Sequence, residues 1–387
     1  MNCASSLSTL TDTDAAIAEV VDQVADALNG EPADLALAFV SAHHAEGLGR
    51  LAAAVSQRGV GRHILGCTGE SIVGQGREIE AKPAVSLWSI RFPEGVRLRP
   101  IRLGFDGELF KGWPGDLVEP KADEDRALVL LGDPFSFPAD RWLKALGPES
   151  SNLCVVGGMA SAGQVPGSNR LVLDGQTFDA GAVGILIDGP VSVRTVVSQG
   201  CRPVGHPMII TKADGNLIQE LGRRPALEVL QETFASLDSA DQDMARQGLH
   251  VGRVINEYQD AFGRGDFLVR NLIGADDEGA LAVTDLVRVG QTVQFHIRDA
   301  ETADEDLRLL LRSEPGGSTP AGALLFSCNG RGTRLFPAPD HDALALVDAL
   351  GPIPVAGFFA MGEIGPVGGQ NFLHGFTASI ALFSPKH

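Results

Sequence analysis

The sequence predicts an α/β protein in which a strand-helix-strand unit, completed by a glycine-rich loop and a closing strand, occurs more than once. Three stretches show this order, at 34–90, 126–187 and 326–383, and they relate the N-terminal and C-terminal halves by an internal repeat. Their apolar runs are continuous, as in LALAFV at 35–40, which is typical of strands buried on both faces of a sheet. The strand-helix-strand order favours parallel pairs with right-handed crossovers.

The glycine-rich loops are the most unusual feature of the composition, because 47 of the 387 residues are glycine. Each loop has a spaced glycine pair that closes on Gly-Gln: Gly69 to Gly74-Gln75, Gly158 to Gly163-Gln164, and Gly362 to Gly369-Gln370. Gly158 and Gly163 have the spacing of a phosphate loop, but Gln164-Val165 stand where Lys-Ser/Thr is required. The glycines therefore predict positive φ angles and close backbone approach rather than nucleotide binding.

The chain divides by sequence into an N-terminal extension with a helix at 1–33, an N-terminal domain at 34–197 and a C-terminal domain at 198–387. A more antiparallel insert is predicted near 191–300. Four short apolar segments separated by Gly/Asp turns, within 249–299, indicate a meander there.

The segments outside the repeats are less regular. Residues 1–13 are polar and are predicted to be frayed. Helical spacing or capping signals predict helices at 14–28, 223–237 and 304–312, while composition predicts an acidic connector at 238–248 and loops at 105–126 and 313–322.

Composition and charge exclude several classes of function. The 31 Lys+Arg and 49 Asp+Glu residues give a net charge of −18 without basic clusters, so neither a nucleic acid nor an anionic membrane is expected as partner. No apolar stretch reaches the ~18 residues of a membrane helix, and the N-terminus lacks a signal-peptide pattern, so a cytoplasmic protein is expected. The five cysteines and nine histidines are scattered, without CxxC or zinc-ligand spacing, so reduced thiols and no metal site are predicted.

The turn after the apolar run at 322–327 contains the strongest candidate residues. Cys328 lies at the strand end near the guanidinium of Arg331, where a thiol can act as a nucleophile or a ligand anchor. The alternative is a small, half-buried cysteine in a turn that needs glycines. Arg331 offers a planar fork for a carboxylate or phosphate, with an exposed surface arginine as the alternative, and Asn329 lies between them.

The other loops contribute further candidates. Glu70 and Glu363 each follow a glycine, and each can receive a ligand amine or cap a turn. Gly158 belongs to the second loop, and Cys67 would face the same region as Cys328 if the repeats are equivalent.

Three further candidates come from strand-end patterns outside these loops. Arg270 and Asn271 end the run DFLVRN and repeat the polar pattern at a strand end. His374, like His341, is a candidate base only if the fold brings it near Cys328.

Several motifs together resemble one family. FSCNGRG (326–332), IPVAGFFAMGEIGP (353–366) and FTASIALF (376–383) resemble the C-terminal half of FIST-domain proteins, and ILGCTGESIVGQGREIE (64–80) resembles the N-terminal half in its plant and bacterial form. The resemblance implies an intracellular sensory and signal-transduction module that binds small ligands such as amino acids. One branch of the family binds haem for nitric-oxide sensing, but no CxxCH motif is present here, and no cofactor is predicted.

The leading hypothesis is a sensor that binds an amino-acid-like or other carboxylate ligand in a cavity lined by 66–76, 157–167 and 357–370. Arg331 would hold the ligand carboxylate and Glu363 its amine. Two alternatives stay open: an enzyme with Cys328 as nucleophile or Glu363 as acid/base, and a scaffold for a signalling-protein partner. A homodimer is the commonest default assembly.

Overall fold

The computed structural model of the chain describes residues 1–117, 126–147, 152–259, 261–263, 265–312 and 319–386. The helices are α1 (Thr13–Ala27), α2 (Leu48–Arg58), α3 (Ala139–Leu146), α4 (Ala226–Ser236), α5 (Ser239–Gln247), α6 (Ala300–Arg312) and α7 (His341–Leu350). The strands of the first half are β1 (Asn2–Ser8), β2 (Leu35–Ser41), β3 (His63–Gly69), β4 (Ser71–Gly74), β5 (Arg77–Glu80), β6 (Val85–Arg91), β7 (Arg97–Phe105), β8 (Phe110–Lys111), β9 (Arg126–Gly132), β10 (Leu153–Met159), β11 (Leu171–Leu173), β12 (Gln176–Phe178) and β13 (Ala182–Asp188). Those of the second half are β14 (Val191–Gln199), β15 (Cys201–Asp214), β16 (Leu217–Leu221), β17 (Arg224–Pro225), β18 (Leu249–Val254), β19 (Phe267–Ala275), β20 (Leu281–Val283), β21 (Thr292–Arg298), β22 (Gly322–Cys328), β23 (Val355–Ala360), β24 (Glu363–Val367), β25 (Gln370–His374) and β26 (Thr377–Pro385).

The chain forms two compact units. Unit 1 comprises Met1–Val197, Leu307–Leu373 and Thr377–His387, and unit 2 comprises Ser198–Asp306 and His374–Phe376. Compact units need not coincide with the domains of a family, so the domain bounds drawn from the sequence stay predictions. Parts of both predicted loops, at 118–125 and 313–318, lie outside the described residues.

Unit 1 contains the strand-helix-strand arrangement three times. The pairs β2–β3, β9–β10 and β22–β23 are parallel, and α2, α3 and α7 lie between their strands in the chain. A closing strand lies antiparallel against the first strand of each pair, as β6, β13 and β26. The first two copies are in the N-terminal half and the third is in the C-terminal half, so the repeat is threefold rather than a relation between two halves.

The segment after the second strand of each copy is a β-hairpin that joins the sheet of another copy. The β4–β5 hairpin of the first copy pairs with β23 of the third, the β11–β12 hairpin of the second pairs with β3 of the first, and the β24–β25 hairpin of the third pairs with β10 of the second. Each copy thus completes the sheet of a neighbour, and the three exchanges form a closed cycle.

These hairpins correct the prediction of long glycine loops. Their two turn residues are Gln75-Gly76, Asp174-Gly175 and Gly368-Gly369, all with positive φ, as a tight type I′ turn requires. The Gly-Gln pairs are therefore not equivalent: Gln75 is in a turn, Gln370 begins β25, and Gln164 precedes its hairpin. A long loop is not needed here, because two antiparallel strands can be connected by only two residues.

A different glycine is equivalent in all three copies. Gly66, Gly157 and Gly357 lie in the second strand of each parallel pair. A Cβ atom at these positions would lie 2.3, 1.9 and 1.8 Å from a carbonyl oxygen of β2, β9 and β22, respectively. Only glycine allows this close backbone approach, so these positions hold the parallel strands in register.

The N-terminal residues are not frayed, which corrects the prediction for 1–13. β1 pairs with β6 along its whole length, from Asn2 opposite Arg91 to Ser8 opposite Val85. Polar composition was misleading here because Ser6 and Ser8 are buried, and their hydroxyls donate to Gln23 and Glu19 of α1. α1 begins where Asp12 accepts a hydrogen bond from the Ala15 backbone N–H at 2.8 Å, as an N-cap.

The interior of unit 1 is held by apolar side chains from the repeats. The rings of Phe39 on β2 and Phe358 on β23 stack with centroids 5.2 Å apart, and Phe326 on β22 meets both rings edge-on at 6.2 and 5.8 Å. All three are fully buried, which places the sheets of the first and third copies face to face.

Unit 2 is an antiparallel barrel, in agreement with the antiparallel insert predicted near 191–300. The strand order is β15–β21–β18–β19–β20–β16, and β16 pairs again with β15 to close six strands. The predicted meander is instead a Greek key, because β21 returns to lie beside β18. The predicted acidic connector at 238–248 is helix α5, which begins where Asp238 accepts from the Asp241 backbone N–H.

The described helices lack the combination of length and apolar character that crossing a bilayer demands.

Candidate functional site

The candidate site begins at the carboxyl end of β22, in unit 1. Cys328 is the last residue of this strand and is partly exposed. The Gly330 backbone N–H points at its Sγ atom over 3.4 Å, and the Arg331 N–H donates to its carbonyl oxygen over 2.8 Å. Gly332 has a φ of +58°, and a Cβ atom there would lie 2.8 Å from Glu80 Oε1, so the turn depends on glycine as the sequence indicated.

The fork of Arg331 is filled by a carboxylate of the protein itself. Its Nε and Nη2 atoms each donate to Asp342 over 2.7 Å, and both side chains are fully buried. Ser327 Oγ also donates to Asp342 at 2.7 Å. Burial alone lowers the pKa of Arg331 and raises that of Asp342, but their mutual charge and hydrogen bonds reverse both directions. Asp342 could not be predicted as the partner of Arg331 from the sequence, because no spacing rule links a turn arginine to the first turn of the following helix.

An aromatic ring supports this ion pair. The Phe336 ring stacks on His341 with centroids 3.3 Å apart and an interplanar angle of 9°. The Arg331 guanidinium lies 5.1 Å from the centroid of the same ring. His341 Nδ1 lies 2.9 Å from Asp342 Oδ1, so the histidine is held beside the ion pair.

Glu363 forms a side-chain hydrogen bond with Cys328. It begins β24, pairs with Gly158 of β10 and is fully buried. Its Oε2 atom accepts from the Thr377 backbone N–H at 3.2 Å and from the Thr377 hydroxyl at 2.8 Å. Burial raises the pKa of Glu363 to about 8, against the lowering effects of Thr377, the Cys328 thiol and the more distant Arg331 charge. The fold thus brings Cys328, Glu363 and Gly158 together, with Arg331 beside them.

Glu70 and Asn329 meet at the surface of the same region. Arg334 forms an ion pair with Glu70, with Nη1 3.3 Å from Oε2, and the same Nη1 donates to the Asn329 carbonyl oxygen at 2.7 Å. Glu70 stands five positions before the hairpin turn at Gln75, as Glu363 does before Gly368. The two glutamates are therefore equivalent in the repeat, although only Glu363 is fully buried.

Cys67 is not the equivalent of Cys328. It lies on β3, the second strand of its copy, whereas Cys328 ends β22, the first strand of its copy. Cys67 is fully buried in the apolar interior, and this burial raises the pKa of its thiol well above the usual value.

Three candidates, Arg270, Asn271 and His374, belong to unit 2. Arg270 Nε is 3.4 Å from Asp285 Oδ2, and Asn271 pairs with His250 across β18 and β19. His374 is buried at the end of β25. In the part of the chain that the structure describes, no group of three or more His, Cys, Asp or Glu side chains is arranged to hold a metal ion.

The three glycine-bearing strand ends meet and pack directly on one another. Ser161, after β10, donates its backbone N–H to Thr68 at 3.1 Å, accepts at Oγ from the Glu70 N–H at 2.8 Å and donates to Phe359. A Cβ atom on Gly158 would lie 2.8 Å from the Cβ atom of Ala360. This part of the meeting point is filled by the protein's own atoms.

An open groove lies between the β4–β5 hairpin and the segment before α7. Its volume is about 620 Å³. The side chains that line it are mixed in charge: Thr9, Arg77, Glu78, Ile79, Glu80, Lys82, Pro83, Thr333, Pro339 and Asp340. Such a volume accommodates a small organic molecule.

The buried carboxyl of Glu78 belongs to this groove. Glu78 is 4% exposed, and its Oε1 atom accepts from the Ala343 backbone N–H in the first turn of α7 at 2.9 Å. Its Oε2 atom has no hydrogen-bond partner among the described residues. Burial, followed by the negative charge of Asp342, raises the pKa of Glu78 to about 8. Arg77 and Lys82 are exposed, so the groove offers two cations beside the carboxyl groups of Glu78, Glu80 and Asp340.

Comparison with known proteins agrees with this architecture. The FIST N domain matches residues 34–224, and the FIST C domain matches residues 226–366. An uncharacterized protein of Mycobacterium tuberculosis (strain CDC 1551 / Oshkosh) is 43% identical over 384 residues, which cover 97% of this chain and 98% of the relative. An uncharacterized protein of Mycobacterium bovis is 42% identical over 382 residues, which cover 97% of each chain. With both domain models matched in order, the chain belongs to the FIST family, as a FIST N domain followed by a FIST C domain.

Proposed function

We propose that this FIST-domain chain is a sensory module that binds a small zwitterion of the amino-acid type in the groove at Glu78. The observation that carries the proposal is the Glu78 Oε2 atom, which is buried in the wall of a groove of about 620 Å³ without a partner in the described structure. A buried polar atom without a partner costs free energy, and a ligand ammonium group that reaches it recovers that free energy.

Each end of a zwitterion finds a partner in this groove. The ammonium group would pair with Glu78, and the carboxylate would pair with Lys82 or Arg77. These roles replace those expected for Glu363 and Arg331, because the Arg331 fork already holds Asp342 and Glu363 is fully buried. The proposed ligand is still amino-acid-like, but different residues bind it.

The Glu78 carboxyl also links the groove to the buried ion pair. Glu78 accepts from the first turn of α7, and Asp342 in that turn holds Arg331. A ligand ammonium favours the ionised form of Glu78, so binding adds a negative charge next to Asp342. We propose that this change of charge, passed to α7 and the Cys328–Arg331 turn, is the start of the signal to a partner protein.

Calorimetry at pH 7 with L-amino acids, the matching amines and the matching carboxylic acids tests the proposal. The amino acids should bind more tightly than the matching amines or the matching carboxylic acids. Glu78→Gln should weaken amino-acid binding by about 1–3 kcal/mol, the cost of losing a charged hydrogen bond. Lys82→Met should weaken the carboxylate-bearing ligands only.

Proton release gives a second, independent readout. Because the pKa of Glu78 is about 8, the free protein holds this proton at pH 7 and should release up to about one proton per bound ammonium. Titrations in two buffers of different ionisation enthalpy measure that number. Glu46 is an exposed carboxylate outside the groove, so Glu46→Gln is the matched control. It should change neither the affinity for amino acids nor the number of protons released. Binding that is equal in the parent and Glu78→Gln, with no proton released, contradicts the proposal.

A further inference from the structure

The Cys328 thiol is surrounded by groups that can stabilise and serve a reacting sulfur. The Gly330 N–H points at Sγ over 3.4 Å, and Arg331 and Arg334 both interact with it electrostatically. The Glu363 carboxyl lies beside the thiol and can exchange a proton with it. Cys328 is a partly exposed residue at the end of its strand. Positive charge and backbone N–H groups are the features that favour a thiolate.

A second observation points to a missing atom at this place. Arg331 and Glu363 are both fully buried. Among the described residues, Arg331 Nη1, Glu363 Oε1 and Asn329 Oδ1 are buried atoms without a well-directed hydrogen bond. Glu363 forms a side-chain hydrogen bond with Cys328, Arg331 interacts with it electrostatically, and Asn329 follows it in the chain, so one buried donor and two buried acceptors belong to residues next to the same thiol. Buried polar atoms are nearly always satisfied, so their clustering indicates that a polar atom belongs among them in some state of the protein.

We propose that Cys328 is a hydroperoxide-reactive cysteine, that Glu363 is its proton shuttle, and that the sulfenic acid formed places its oxygen among these buried atoms. The oxidant is a hydroperoxide, either hydrogen peroxide or a small organic hydroperoxide. The oxygen added to Sγ gives Arg331 Nη1 an acceptor, and its hydroxyl gives Glu363 or Asn329 a donor.

The chemical step balances with the residues present. The Cys328 thiol loses its proton to solvent, and the thiolate attacks the terminal oxygen of the hydroperoxide. The S–O bond forms while the O–O bond breaks, and the electron pair leaves on the other oxygen. The protonated Glu363 carboxyl donates its proton to that oxygen and regains one from solvent, so the products are a sulfenic acid and water or an alcohol. Sulfur is oxidised and the peroxide is reduced, with no net change at Glu363.

The environment of Glu363 suits a shuttle near neutral pH. Its pKa is about 8, so the carboxyl is mostly protonated at pH 7 and can donate its proton to the leaving oxygen. The charged groups facing the Cys328–Glu363 pair are Arg331 and Arg334, while Asp342 and Glu78 act through Arg331. A histidine base is not required.

The other cysteines of unit 1 provide internal controls. Burial raises the thiol pKa of Cys3 and Cys67 well above the usual value and that of Cys154 to about 12. Cys3 and Cys154 are nevertheless partly exposed as residues, as Cys328 is. They therefore test whether accessibility alone explains any reaction.

Dimedone trapping after sub-stoichiometric hydrogen peroxide, read by peptide mass spectrometry at pH 7, measures sulfenic acid at each cysteine. Cys328 should react at least 10-fold faster than Cys3 and Cys154, and Glu363→Gln should slow Cys328 by about 100-fold or more, the scale of proton-transfer catalysis. Equal rates at the three cysteines, or an unchanged rate in a folded Glu363→Gln protein, would overturn the proposal.

A second variant guards against a merely structural effect. Thr377→Val keeps the shape but removes the hydroxyl that donates to Glu363, so the pKa of Glu363 should rise further. The pH profile of dimedone labelling at Cys328 should then shift to higher pH, while labelling at Cys3 and Cys154 keeps its profile. A profile that does not move in Thr377→Val contradicts the shuttle role of Glu363, whether or not Glu363→Gln folds.

Discussion

Two buried carboxyl groups make the stability of unit 1 depend on pH in an unusual direction. Burial raises the folded-state pKa of Glu78 and Glu363 from 4.5 to about 8. Between these values the folded protein holds two protons that the unfolded chain has released. Their contribution to stability is therefore complete below the unfolded pKa and is lost as pH rises through about 8.

The magnitude follows from proton linkage. Each retained proton contributes a slope of about −1.4 kcal/mol in unfolding free energy per pH unit, and two give roughly twice that. We expect the parent to approach the steeper slope between pH 6.5 and 7.5. Glu78→Gln or Glu363→Gln should remove about one proton's share, and the double variant should be nearly flat. Burial lowers the pKa of His44, so this residue makes stability rise with pH, but only below its ordinary pKa of 6.5.

Urea unfolding followed by tryptophan fluorescence suits this test, because Trp88, Trp113 and Trp142 all lie in unit 1. Glu46→Gln removes an exposed carboxyl and should keep the slope of the parent. A parent whose stability stays level from pH 6.5 to 7.5, or Gln variants with the parent's slope, would show that these carboxyls ionise normally and would refute the reasoning.

Two further predictions concern the fold around the site and use the same unfolding assay. Asp342→Asn leaves the buried Arg331 without its ionic partner and should lower the free energy of unfolding by about 3–5 kcal/mol. Asp348→Asn breaks an exposed ion pair, 3.3 Å from Arg308, and should lower it by less than about 1 kcal/mol. Similar losses in the two variants would contradict the importance assigned to the buried pair. Gly357→Ala places a Cβ atom 1.8 Å from a backbone oxygen and should lower the free energy of unfolding by more than about 3 kcal/mol. The Cβ atom of Gly104→Ala meets nothing closer than 3.9 Å, so this variant should keep the stability of the parent. A stable Gly357→Ala protein would refute the close-approach argument.

The repeated units could be predicted because their signals are local. Continuous apolar runs, a helical run between them and the strand-helix-strand order specify each parallel pair without reference to the rest of the chain. The antiparallel character of unit 2 followed in the same way from short strands and turn residues. The errors at 1–13 and 238–248 share one cause, since polar composition was taken as a lack of structure where an edge strand and a capped helix form.

The sequence by itself therefore determined the family and the repeated strand-helix-strand units. Tertiary structure alone decided which sheet each hairpin joins, that Asp342 fills the fork of Arg331, and that Glu78 and Glu363 are buried deeply enough to hold protons near neutral pH. The physical reason is that strand and helix preferences act over a few residues, whereas burial, ion pairing and pKa depend on which distant segments pack together. In this chain those segments are exchanged in a cycle between three copies of the repeat, and no local pattern records that exchange.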